Sequence, residues 1–140
     1  MPRTARASRA DVCYHVLSRG NARQTIFHDD TDFNTFSSLL DRAGRERPMR
    51  LLAWCLMPNH VHLIVVPKSA DGLRRAIGEA HRRYTRMVNF RKDWRGHLWQ
   101  GRFASYPMDA EYLLAAARYV ERNPVRARLS RCAWEYRWSI

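Results

Sequence analysis

The sequence predicts an α+β domain built on a ferredoxin-like antiparallel sheet in the order β-α-β-β-α-β, with an added C-terminal helix that carries a tyrosine. Three observations lead there. Residues 11–18, "DVCYHVLS", alternate Val12, Tyr14 and Val16 against Cys13, His15 and Leu17, the period of a strand. Residues 50–57, "RLLAWCLM", and 60–66 are apolar runs of strand length separated only by Pro58-Asn59, which reads as an antiparallel hairpin. Between and after these runs lie segments with apolar residues at helical spacing.

The elements follow in order. Residues 1–10 read as a basic, mobile arm. After the first strand, "RGN" at 19–21 is a turn. Asp29, Asp30 and Thr31 offer N-cap chemistry for a helix with Phe33, Phe36, Leu39, Leu40 and Ala43 on one side, and Pro48 punctuates its end. After the hairpin, a helix over about 70–90 places Leu73, Ile77, Ala80, Tyr84, Met87 and Val88 on one side. "WRGHLWQGRF" at 94–103 is turn-rich, and "FASYPM" at 103–108 is a fourth strand. Asp109 caps a last helix, "AEYLLAAARYVERN", which Pro124 is expected to stop.

The chain has 140 residues and no internal repeat or linker, so a single domain over 1–140 is expected. No apolar run approaches the roughly 20 residues of a membrane span, and the basic N-terminus lacks the apolar region of a secretory signal. Cys13, Cys55 and Cys132 have no metal-type spacing and read as free thiols of a reducing cytoplasm. Lys and Arg number 25 against 13 Asp and Glu, a net charge of +12 that is mostly arginine. The guanidinium fork matches phosphate, so this excess points to nucleic acid ahead of a solvated basic surface or a membrane surface.

"MPNHVHLIVV" at 57–66 puts His60 and His62 on one face of a strand, since residues two apart share a face. Two imidazoles there are either satisfied strand histidines or part of a metal site, and a metal needs at least a third ligand. The last helix offers one. Tyr119 and Asn123 are four apart and share a helical face, with Tyr112 seven before Tyr119; Leu113, Ala117 and Val120 form the neighbouring apolar stripe. An amide oxygen suits Mg²⁺ or Mn²⁺. A tyrosine is a weak nucleophile at neutral pH, and a divalent ion that polarises a phosphate offsets that weakness. The bland alternative for Tyr119 is an interfacial core tyrosine. Tyr84 is the rival nucleophile, but Val88 stands where the amide would be.

Taken together, "YHVLSRGNARQTIFHDD", "MPNHVHLIV", "GHLWQGRF" and "RYVERNPVRA", in this order from about Tyr14 to Trp138, resemble the REP-associated tyrosine transposases, in the IS200-like, single-tyrosine branch of the HUH endonucleases. The resemblance implies a metal-dependent single-stranded DNA endonuclease and strand transferase. Such an enzyme cuts beside hairpins of repetitive extragenic palindromes through a phosphotyrosine link, in a bacterial, nucleoid-associated cytoplasmic setting. It implies His60 and His62 as metal ligands around Val61, Asn123 as the third ligand, Tyr119 as nucleophile, and Mg²⁺ or Mn²⁺ as cofactor. The chain departs from the family pattern at Arg122, where an apolar residue is more frequent, at Arg128, where glycine is common, and in stopping at "EYRWSI", where relatives often continue.

Candidate DNA contacts are Arg19, Gly20, Asn21 and Arg23 after the first strand. Arg82, Arg83 and Arg86 on the second helix either track phosphates or form a solvated face. Trp94, Arg95, Trp99 and Arg102 interleave rings and guanidinium groups as single-strand stacking requires; for Trp99 a core position is the competing reading, and for Phe103 it is the preferred one. Two other functions compete: a non-catalytic module binding structured DNA or RNA, and a zinc hydrolase on His60 and His62 that lacks the HExxH glutamate. Monomer and homodimer both remain open, as does use of Tyr119 within its own subunit or across a dimer.

Overall fold

The protein is described by a computed structural model that covers residues 8–46 and 49–139. The expected helix stop at Pro48 and most of the basic arm lie outside these residues. Where the arm is described it is tied down: the Arg9 N–H donates to the Tyr14 hydroxyl at 2.7 Å.

Four strands, β1 (Cys13–Arg19), β2 (Met49–Met57), β3 (His60–Pro67) and β4 (Ala104–Met108), alternate with helices α1 (Asp30–Glu46), α2 (Gly72–Lys92) and α3 (Ala110–Arg126). The sheet order is β2-β3-β1-β4 with every neighbouring pair antiparallel. This is the ferredoxin-like arrangement, and each expected element is present. Asp29 supplies the cap of α1, its side chain accepting from the Asp32 N–H at 2.9 Å, and Asp109 caps α3 by accepting from Tyr112 N–H at 2.8 Å.

The sheet is covered on both faces. Tyr14, Val16, Val61, Leu63 and Val65 pack with Phe36 and Leu40 of α1 and Ile77 and Tyr84 of α2. The opposite face carries Cys55, Met57, Ile64 and Met108, which pack against Val120 of α3, flanked by Leu113 and Ala117. β3 is central and sandwiched, which is why it reads as an almost unbroken apolar run. On α2, Met87 departs from the expected core stripe and is 47% exposed.

Pro124 does not stop α3. The helix runs through it to Arg126, because a proline in the last turn forgoes only the bond back to Val120, while Ala127 N–H still reaches Asn123 O at 3.0 Å and Leu129 N–H reaches Pro124 O at 2.8 Å. Arg128, just past the end, holds a left-handed backbone with φ 61°. That conformation favours glycine, the residue that the family resemblance leads one to expect at this position.

Candidate active site

The site forms where the N-terminal end of β3 faces α3. Strand register puts His60 opposite Arg19 of β1 and Met57 of β2, and His62 opposite Leu17 and Cys55. Both imidazoles therefore project to the α3 face, while Val61 between them is fully buried on the other. His62 is 4% exposed, and the two rings lie 5.1 Å apart, centroid to centroid, nearly perpendicular.

The hydrogen bonds define the proton positions. His60 Nδ1 lies 2.7 Å from Asn59 Oδ1, an acceptor, so Nδ1–H donates there and Nε2 keeps its lone pair. That Nε2 receives the Asn123 Nδ2–H at 3.0 Å. Asn123 is 8% exposed and sits one turn beyond Tyr119. The Tyr119 ring stands edge-on to His62, centroids 5.5 Å apart, and is 42% exposed. One chain thus brings His60, His62, Tyr119 and Asn123 together.

Two further residues belong to this cluster that the sequence reading did not single out. His15 Nε2 lies 3.0 Å from His62 Nδ1, with the rings stacked at 5.2 Å. With the shared proton on His62 Nδ1, His62 Nε2 is left as the free lone pair. The signal was strand parity, since His15 belongs to the outward row of its alternation. Arg126 lays its guanidinium over the Tyr119 ring, 4.7 Å from the centroid, a cation–π contact. Its signal was the seven-residue spacing on one helical stripe.

Electrostatics keep the imidazoles neutral. Burial, then the charges of His60, His15 and Arg19, holds His62 down at about 3. Burial followed by Arg19 lowers His60, and burial alone lowers His15. Neutral imidazole is the ligating form. Among the described residues no three His, Cys, Asp or Glu side chains group as a metal site, so a cation here would need another kind of donor, and the Asn123 amide beside His60 is placed to supply one. The donor set fits. Both imidazoles are neutral, one has its lone pair already directed by a hydrogen bond on its other nitrogen, and the amide turns its oxygen inward by a simple flip.

The other candidates separate clearly. Tyr84 is fully buried and donates its hydroxyl to Ile26 O at 2.5 Å, so it is core. Gly20 is buried, and a Cβ there would lie 2.2 Å from Gln24 O, so a glycine lets the turn close. Arg19, Asn21 and Arg23 are exposed around it. Trp99 is 8% exposed and stacks on His81 at 4.0 Å. One face of its ring is therefore taken up inside the core. Trp94 is 44% exposed with Lys92 Nζ 5.5 Å from its ring centroid, and Arg95 is exposed beside it. Arg82 and Arg83 both pair with Glu79, the latter at 2.8 Å, whereas Arg86 has no carboxylate partner among the described residues. Arg102 is exposed on the segment before β4.

No helix among the described residues is long and apolar enough to cross a membrane. Comparison with solved structures finds the same fold in a REP-associated tyrosine transposase bound to a REP hairpin. The TM-score is 0.75 at 18% identity, over 99% of this chain and 82% of that one. A Deinococcus radiodurans R1 protein described as a transposase matches with a TM-score of 0.58 at 20% identity, over 86% of this chain and 97% of that one. A search of curated protein sequences finds no match. The IS200-like transposase model matches residues 8–123, which span β1 through Asn123. With that match over most of its length, the chain belongs to the IS200-like transposase family.

Proposed function

We propose that the protein is a single-stranded DNA endonuclease and strand transferase that works beside hairpin-forming repeats, with Tyr119 as nucleophile and a divalent cation, Mg²⁺ or Mn²⁺, held by His60, His62 and Asn123. The observation that carries this reading is the meeting of α3 with β3 in one chain: Tyr119 against His62, and Asn123 against His60. A core tyrosine would be buried like Tyr84, yet Tyr119 is part-exposed beside the two histidines.

In this account the Tyr119 oxygen attacks the scissile phosphorus. A bond from that oxygen to phosphorus forms as the bond to the departing strand end breaks, and the phenolic proton ends on the released hydroxyl. The phosphotyrosine keeps the phosphodiester's energy, so the reverse attack by a hydroxyl rejoins strands. When bound, the cation polarises the phosphate and stabilises its developing charge. Asn59 orients His60, His15 orients His62, and Arg126 holds the Tyr119 ring at the site's mouth. In this account Tyr119 serves its own histidine pair, a reading supported by their meeting within one chain. The hairpin bound by the structural neighbour supports a hairpin-bearing DNA substrate here.

The test is incubation with end-labelled single-stranded hairpin DNA and Mg²⁺ or Mn²⁺. A covalent protein–DNA adduct that requires metal and disappears in Tyr119→Phe and His60→Ala supports the enzyme. Tight binding with no adduct across a hairpin panel would leave only a binding module.

A further inference from the structure

On the sheet face opposite the histidines, α2 and the segment before β4 flank an open hollow of about 680 Å³. Its α2 wall is a row at successive four-residue steps, Arg74, Gly78, Arg82 and Arg86. Such a row runs along one helix face, rising about 6 Å per step. Trp99 and Arg102 contribute the other wall. Arg74 and Arg86 have no carboxylate within ion-pair distance among the described residues, although the hollow concentrates positive charge. The glycine breaks the row: a Cβ on Gly78 would meet nothing nearer than the Arg82 guanidinium at 3.8 Å, so the gap it leaves is open space rather than packed core. Trp99 also has an unmet demand. Its Nε1–H is buried without an acceptor among the described residues, a demand that sits beneath the wall and not on its open surface.

We infer that this hollow is a nucleotide pocket. One unpaired base enters the gap at Gly78 against the Trp99 wall, and the flanking phosphates lie on Arg74, Arg82 and Arg86. The size suits a small ligand group, and arginine forks suit phosphate oxygens. The hollow is also joined to the histidine site. Gly20 bridges to Trp99, Gln100 N–H donates to Arg19 O at 2.8 Å, and Asn21 N–H donates to Leu98 O at 2.8 Å, while Arg19 is the cross-strand partner of His60. A strand seated in the pocket therefore passes the exposed end of β1 to reach the histidines. The inference deepens the reading of the protein as a single-strand enzyme by assigning the substrate's flank a seat of its own, on the far side of the sheet from the cut.

The experiment uses the full chain carrying Tyr119→Phe, without divalent metal, so that nothing is cleaved. Binding of fluorescein-labelled oligothymidine and of an abasic oligomer of equal length is followed by anisotropy across salt concentrations. The parent is expected to prefer oligothymidine by about 5- to 100-fold, the worth of one seated base. Gly78→Leu fills the gap and is expected to lose most of that preference while keeping or raising Tm, since leucine is the better helix former. Arg86→Ser lowers affinity for both oligomers and reduces the salt slope by about 1, and it tests the phosphate seat independently should Gly78→Leu not fold. Unchanged discrimination in folded Gly78→Leu, an unchanged salt slope in Arg86→Ser, or no preference in the parent would overturn the pocket. The adduct on Tyr119 is measured separately. Adduct formation with an indifferent Gly78→Leu sinks the pocket alone; a missing adduct with a sensitive Gly78→Leu sinks the nicking reading alone.

Discussion

Asn123 on α3 donates its side-chain amide to His60 Nε2 on β3 at 3.0 Å, across 63 residues of chain. The contact reports two things at once: the lone pair of His60 points at the helix, and the helix answers with a group that can present either a proton or an oxygen. If a cation takes the place of that hydrogen bond, Asn123→Ala should lower Mn²⁺ affinity by about 10- to 100-fold. His15→Phe, which keeps the stacked ring but removes the nitrogen beside His62 Nδ1, should lower it by at least about tenfold. Titration calorimetry with Mn²⁺ alone reads both. Wild-type affinity in both variants would separate these residues from metal binding.

The placement of all four groups in one chain predicts how mixtures behave. Tyr119→Phe keeps the histidines and His62→Ala keeps the tyrosine. Combined with hairpin DNA and metal, the two variants should form no adduct. Recovery of adduct in the mixture would mean that tyrosine and histidines are exchanged between subunits.

Arg128 holds φ 61°, a conformation costing a side-chain-bearing residue about 1–2 kcal/mol. Arg128→Gly relieves that cost but adds backbone freedom to the unfolded chain, leaving a net gain of about 1 kcal/mol. The gain should appear as a rise in Tm with the adduct reaction unchanged. A lower Tm would show that the guanidinium makes a contribution larger than the backbone cost.

His81 gives a pH dependence. It donates to or accepts from Ser18 Oγ at 3.2 Å inside the core, and burial pushes its pKa from 6.5 to about 3. Above the unfolded value both states are neutral and the residue has no effect. As pH falls from 6.5 towards 3 the unfolded chain takes up a proton that the folded chain refuses, so stability declines by up to about 1.4 kcal/mol per pH unit. His15, His60 and His62 add declines of the same sign. His81→Phe keeps the stack on Trp99 and should flatten the acid limb of urea-derived stability by one proton's worth; an unaltered limb would contradict the buried, neutral assignment.

Much of this was legible in the chain. Period-two alternation located β1, the Pro58-Asn59 turn located the β2–β3 hairpin, and parity put His60 and His62 on a common face. Four-residue spacing joined Tyr119 to Asn123. What sequence spacing does not encode is which sheet face a helix takes. β3 is apolar on both faces, so nothing local told α3 to cover the side opposite α1 and α2. For the same reason His15 looked like one member of an alternating strand, since its partner His62 is fixed by β1–β3 register. Trp99 was ambiguous because stacking on a base and stacking on His81 ask for the same ring. Pro124 misled because its helix-breaking effect falls to a single lost bond when it sits in the final turn.

The most direct test of the central claim is to locate the DNA on the protein. After reaction with hairpin DNA and Mn²⁺, nuclease and trypsin treatment should leave a nucleotide mass on the peptide Tyr119–Arg122, bounded by Arg118 and Arg122, with fragmentation placing it on the Tyr119 oxygen. A nucleotide on Tyr112, Tyr106 or any other residue, with Tyr119 unmodified, would contradict the account.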